Sequence, residues 1–249
     1  MLSKSQISFL KSLQQKKNRK THGLFLVEGI KSVAEFINSD HQIETIYHTP
    51  ALGAKLLNLS RKINIQETSA NNLEKFSSLT TAPDVIALVK IPADTHLQTP
   101  KLQQSFSLVL DSIQDPGNLG TIIRTADWFG IKNIICSEDT VDAYNPKVVQ
   151  ATMGSLAHIN LYYLNLSHFI KQCNIPVFGA LLAGNNIYST DFGDEGLIIL
   201  GNEGNGITPE IQQLVQKKIT IPQAGNAESL NVAIAAAVFC SEVCRKTLK

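Results

Sequence analysis

Paired cysteines, a membrane-length apolar run, a dinucleotide fingerprint and any internal repeat are all missing from this 249-residue sequence. Its four cysteines, Cys136, Cys173, Cys240 and Cys244, stand in apolar surroundings without the spacing of a disulfide framework. Cys240 and Cys244 are one helical turn apart, but two thiols fall short of a tetrahedral zinc site, so no metal is expected. The six histidines are scattered and receive no catalytic role. The first residues, MLSKSQISFLKSLQQKK, hold no apolar signal-peptide core. The most apolar run, residues 232–240, is far too short to cross a bilayer. Together these absences point to a soluble, cytoplasmic protein with reduced core thiols and no membrane partner. Gly117 and Gly120 lack the GxGxxG spacing and no GKS/T follows, which argues against a dinucleotide-dependent oxidoreductase.

What is present looks ordinary in total and uneven in distribution. Hydrophobic residues make up 43% and charged residues 17%, as in a typical globular protein. The formal net charge of +1 hides an asymmetry: residues 1–100 carry 12 basic against 8 acidic side chains, and residues 101–249 carry 10 against 13. Six of the bases, Lys4, Lys11, Lys16, Lys17, Arg19 and Lys20, precede the first acid, Glu28. Such a segment suits a polyanion, although on charge alone a solvated helix end is the simpler explanation.

Residues 3–17 read as a basic amphipathic helix with Ile7, Leu10 and Leu13 (or Phe9) turned inward. Strands are expected at 24–27, 43–48, 63–66 and 85–91, with helices at 30–37, 52–59 and 70–76, the last N-capped by Ser69. A polar stretch from Pro92 to Gln104 separates this small α/β layer from the rest. The expected division is therefore a domain at 1–95, a linker at 96–105 and a second domain at 106–249. In that second domain, strands are expected at 107–111, 133–137, 158–163, 176–182, 196–200 and 218–221. Helices are expected at 119–129, 147–153, 167–173, 209–216 and 230–246. Six short apolar strands alternating with helices imply a mostly parallel sheet covered on both faces.

Three loops, each after a strand, carry the chemistry. In LVLDSIQDPGNLGTIIRTADWFGI, residues 108–131, an apolar run ends at Asp111 and a helix begins after Pro116 and Gly117. Leu119, Ile122, Ile123 and Ala126 make its inner face, and Thr121, Arg124 and Trp128 fall opposite. The second loop, GNEGNG at 201–206, has three glycines that permit close backbone approach. The third, IPQAGNAESLN at 221–231, runs into a helix that is apolar on every side at 232–240. Such a helix is buried deep in the domain or packs on a second subunit with one face; the dimer is favoured.

These segments, NLGTIIRTADWFG, LGNEGNGI and IPQAGNAESLNVAIAAAVFCSE, resemble the three motifs of the SpoU/TrmH family of RNA ribose 2′-O-methyltransferases, in the SPOUT superfamily. The front half, from GLFLVEGIKSVAEFI onward, is similar to the ribosomal-protein-like α/β domain that binds substrate RNA in many members. The resemblance implies an α/β trefoil-knot methyltransferase domain, S-adenosylmethionine as cofactor, a homodimer, and structured RNA, ribosomal above all, as substrate. Carried over by position, the catalytic set is Arg124, Asn118, Glu203, Ser229 and Asn231. Leu181, Ala183, Gly184, Gly201, Ile221 and Leu230 would contact the cofactor. Lys16, Lys17, Arg19, Lys20 and Arg124 would contact RNA. One departure is Asn202, where many members have serine.

A ribose hydroxyl is a poor nucleophile, so alignment and help with its proton are both required. No base is obvious among these residues. Arginine holds its proton firmly, so gripping the adjoining phosphate is favoured for Arg124 over abstracting the proton. Asn118, Ser229 and Asn231 would then hold Arg124 and the ribose, and Glu203 would anchor the arginine or the loop. Each residue also has a plain structural role open to it. Arg124 suits a pair with Asp127, Ser229 the N-cap of the last helix, Asn118 the cap of the first, and Glu203 the turn amides. A transfer-RNA ribose methyltransferase and a catalytically silent RNA-binding or ribosome-assembly protein are the rival functions.

Overall fold

The computed structural model describes residues 2–52, 63–93 and 102–246. The helix expected at 52–59 lies, after Leu52, outside the described residues, as do positions 94–101 of the expected linker stretch. Two compact units result: one holds the described residues before 94 with Asp142–Ala157, the other those of 102–141 and 158–246.

In the first unit, helix α1 (Lys4–Ser12) opens on a reciprocal cap, Ser3 Oγ accepting from Gln6 N–H and Gln6 Oε1 from Ser3 N–H. The single helix expected over 3–17 is broken at residues 13–15, and α2 (Lys16–His22) follows, closed by Gly23 at φ 62°. Arg19 explains the break. Its guanidinium donates to the carbonyls of Leu13 at 2.9 Å and Gln14 at 2.8 Å, groups that the end of α1 leaves open. Its other edge donates to Asp142 Oδ2 at 2.6 and 3.1 Å. At 2% exposure Arg19 is buried, so the expectation that it faces RNA is corrected: its donors are spent inside the fold.

Strands β1 (Leu24–Glu28), β2 (Ile43–His48), β3 (Ile65–Glu67) and β4 (Val85–Lys90) form a sheet of order β1-β4-β2-β3. Only β2 and β3 run parallel. Helix α3 (Ile30–Ile37) and helix α4 (Ala70–Phe76) stand where periodicity put them, and Ser69 caps α4 by accepting from Asn72 N–H. Leu10, Leu13, Leu73, Phe76 and Ile86 form the centre of a core between helices and sheet.

The second unit has one six-stranded sheet. Its elements run β5 (Phe106–Leu110), α5 (Pro116–Trp128) and β6 (Asn133–Cys136). Helix α6 (Pro146–Thr152) comes next in the chain but lies in the segment packed in the first unit. Then follow β7 (Asn160–Tyr163), α7 (Leu166–Gln172), β8 (Val177–Asn186), β9 (Gly196–Leu200), α8 (Pro209–Gln212), β10 (Lys217–Thr220) and α9 (Val232–Cys244). The order is β10-β8-β9-β5-β6-β7, and every pair is parallel. The chain proceeds outward from β5 on one side and returns beside it as β9, so their carboxyl ends flank a topological switch point.

Strand β8 runs four residues past its expected end at 182, because it meets β10 twice. Lys217 and Lys218 oppose Phe178 and Gly179, whereas Ile219 and Thr220 oppose Asn185 and Asn186. Residues 180–184 bulge between the two contacts. Helix α5 buries Leu119, Ile122, Ile123 and Ala126 completely, as its periodicity requires, and packs on α9. That last helix is not covered on every side: Ala233, Ala236, Phe239 and Cys240 are buried, while Ile234 is 53% exposed.

All four cysteines are buried and none forms a disulfide, and burial pushes the Cys240 thiol up to about 12. No helix among the described residues is long and apolar enough to cross a membrane.

Candidate functional site

The site grows from the carboxyl ends of β5 and β9. Asp111, the residue after β5, is 3% exposed, and its carboxylate accepts from Thr208 N–H at 2.7 Å. Ser112 follows at φ 60°, a conformation unusual for a residue with a side chain. Its N–H donates to Ser137 Oγ at 2.8 Å and its hydroxyl to Asp139 Oδ2 at 2.6 Å. The hydroxyls of Ser112 and Ser137 hold the Asp139 carboxyl below its ordinary range. Sequence reasoning passed over Asp111, Ser112 and Asp139; the acid closing an apolar strand was the available signal for Asp111.

Helix α5 begins on Asp115, whose carboxylate accepts from Asn118 N–H at 2.7 Å. Asn118 is thus not the cap but the third helical residue, and its side chain is free for other work. Its Nδ2 donates to Glu203 Oε1 at 2.7 Å. Its Oδ1 accepts from Asn231 Nδ2 at 3.0 Å. Asn231, rather than Ser229, caps α9, its Oδ1 accepting from Ala233 and Ile234 N–H at 2.9 and 3.4 Å. One residue from each of the three motif loops therefore meets in a single chain of hydrogen bonds, Asn231 to Asn118 to Glu203.

Arg124 and Ser229 stand outside that chain. Arg124 is exposed and makes no hydrogen bond or ion pair with the described residues. The pair with Asp127 is absent, since Asp127 faces Lys132 at 3.8 Å instead. Six residues separate Arg124 from Asn118 on one helix, which sets them about 9 Å apart along the axis and about 120° apart around it. Ser229 is exposed in the approach to α9. In the first unit, Lys16, Lys17 and Lys20 are exposed and form no ion pair among the described residues.

Five of the six positions matched to cofactor contacts lie on or just after three adjacent strands. Leu181, Ala183 and Gly184 lie on β8, Gly201 follows β9, Ile221 follows β10, and Leu230 precedes α9. Two of the glycines are fixed by the fold itself. A Cβ on Gly201 would sit 2.1 Å from Ile207 N, and one on Gly184 would sit 2.4 Å from Lys218 O. Leu182, in the bulged part of β8, and Leu230, just before α9, remain 76% and 49% exposed.

The pattern of the SpoU rRNA Methylase family matches residues 105–241, and that of an MRM3-like substrate binding domain matches residues 4–87. The chain is 29% identical over 242 residues to the 23S rRNA (guanosine(2553)-2′-O)-methyltransferase RlmP of Bacillus subtilis, covering 92% of both sequences. Among solved structures it is similar to a putative RNA methyltransferase of the TrmH family from Porphyromonas gingivalis, with TM-score 0.89, 37% identity and 99% of each chain covered. An AdoMet-bound rRNA methyltransferase from Sinorhizobium meliloti superposes with TM-score 0.87 at 28% identity, over 100% of this chain and 97% of that one. With more than half of its length matched by the family pattern, the chain belongs to the SpoU rRNA Methylase family.

Proposed function

We propose that the chain transfers a methyl group from S-adenosylmethionine to a ribose 2′-hydroxyl of ribosomal RNA. The observation that carries this reading is the convergence of Asn118, Glu203 and Asn231 from three separate loops onto one hydrogen-bonded chain. The cofactor supplies an electrophilic methyl on a sulfonium. The residues present fit it: the exposed apolar side chains of Leu182 and Leu230 suit an adenine ring, and strand-end backbone at Gly201 and Ile221 suits its polar groups.

In the reaction a bond forms between the ribose oxygen and the methyl carbon, the carbon–sulfur bond breaks, and the hydroxyl proton leaves to water or a phosphate oxygen. The chain's own residues orient and neutralise. Arg124, charged and uncommitted, grips the phosphate beside the target ribose and lines up its hydroxyl. Asn118 and Asn231 hold the three loops in register, and Glu203 joins the loop that follows β9 to Asn118. Ser229 contributes a hydroxyl to the ribose. Lys16, Lys17 and Lys20 in the first unit bind RNA backbone.

The same reading includes a homodimer, with Ile234 and the exposed edge of α9 against a second copy. It includes the trefoil knot as well, which the family resemblance implies. The test is transfer of labelled methyl from S-adenosylmethionine to ribosomal RNA and transfer RNA transcripts. Label is expected in ribosomal RNA, and a 2′-deoxy nucleotide at the mapped position should abolish it. Label in transfer RNA alone, or label surviving the 2′-deoxy substitution, would overturn the reading.

A further inference from the structure

We infer that Asn202 is a positioning residue for methyl transfer, acting through its neighbour Glu203. The inference rests on the function proposed above, because it requires Glu203 to serve in that reaction.

Asn202 closes the loop after β9 on itself and fastens it to something outside. Its backbone pairs with Gly206 in both directions, at 3.0 and 2.9 Å. Its Oδ1 accepts from Gly204 N–H at 2.8 Å and Asn205 N–H at 3.2 Å, which fixes the turn around Glu203. Its Nδ2 donates to the carbonyl of Ser112 at 2.8 Å, ninety positions earlier in the chain. Ser112 is a firm anchor, since its own amide and hydroxyl are held by Ser137 and Asp139. At the other end of the loop Thr208 is tied to Asp111.

Glu203 needs this support. It is exposed, and its one hydrogen bond among the described residues is the one from Asn118. A glutamate on an exposed glycine-rich turn otherwise spreads over many rotamers. The tie at Asn202 sets the base of that side chain so that its carboxylate meets Asn118. A carboxamide performs both tasks because it carries an acceptor and a donor on separate atoms. A serine hydroxyl is one atom on a shorter stem and cannot serve the loop amides and the Ser112 carbonyl from two places.

The first variant is Asn202→Asp, which keeps the acceptor oxygen and the shape, removes the donor to Ser112 and adds a negative charge. With saturating cofactor and RNA, kcat should fall on the order of tenfold to a hundredfold, as misplacement of a catalytic constellation does. Affinity for S-adenosylmethionine by calorimetry and the melting temperature should stay near wild type. In a double variant, Asn202→Asp with Glu203→Gln should be no slower than Glu203→Gln alone, because the two act as one unit. Asn202→Ser, a second route to the same loss that adds no charge, should also lower kcat. Wild-type kcat in either single variant, or losses that multiply in the double variant, would overturn the inference while leaving the function standing. A wild type without methyl transfer to any RNA would remove both.

Discussion

Asn231 donates its amide to Asn118 Oδ1 at 3.0 Å while its own oxygen caps the first amides of α9. One side chain thus joins helix stability to the geometry of the site, and substitution separates the two. Asn231→Ala loses both and should cost about 1 kcal/mol of stability, the usual worth of an N-cap. Asn231→Asp keeps the cap, loses the donor, and should keep its melting temperature while methyl transfer falls. Equal activity in the two variants and wild type would show that the Asn118 hydrogen bond does not matter to turnover.

Arg124→Ala is expected to lower methyl transfer on the order of a hundredfold or more. Its stability should stay within about 0.5 kcal/mol of wild type, because the side chain is exposed and unpaired. Parallel calorimetry should show cofactor binding unchanged. Normal turnover would remove Arg124 from the catalytic set.

The basic front segment divides into one structural residue, Arg19, and exposed lysines proposed to bind RNA. Arg19→Ala strands the Asp142 carboxylate, which is 15% exposed, and opens two carbonyls of the α1–α2 corner. Breaking a buried pair in this way costs about 3–5 kcal/mol, measurable by urea unfolding. Lys16, Lys17 and Lys20 changed together to alanine should leave stability alone. RNA affinity should fall, and the salt slope should become shallower by about 0.9 for each phosphate that the variant no longer neutralises. An unchanged slope would place the RNA elsewhere.

For the dimer, Ile234→Asp is the informative change, since Ile234 is an apolar side chain left 53% exposed on α9. Ala236 on the same helix is fully buried, so a charge there would test folding instead. Sedimentation should find wild type dimeric at micromolar concentration and Ile234→Asp monomeric. A monomeric wild type would contradict the dimer.

Local order was readable from the sequence where it depends on neighbours in the chain. The 3.6-residue spacing of Leu119, Ile122, Ile123 and Ala126 gives α5 its inner face, and the Ser69 cap follows from the same local logic. Legibility ended where a partner lies far along the chain. Arg19 counts as one more surface base until Asp142, 123 positions later, is beside it. The membership of Asp142–Ala157 in the first unit has the same cause. Asn118, Glu203 and Asn231 were named from motif resemblance, but their mutual contact, and the tie from Asn202 to Ser112, needed the sheet order that brings β5 and β9 together.

Mapping ribose methylation across total RNA, in cells with and without this protein, tests the central claim most directly. One ribosomal RNA position should lose its 2′-O-methyl group when the protein is removed and regain it with wild type but not with Arg124→Ala. An identical methylation map with and without the protein, or a lost site confined to transfer RNA, would contradict it.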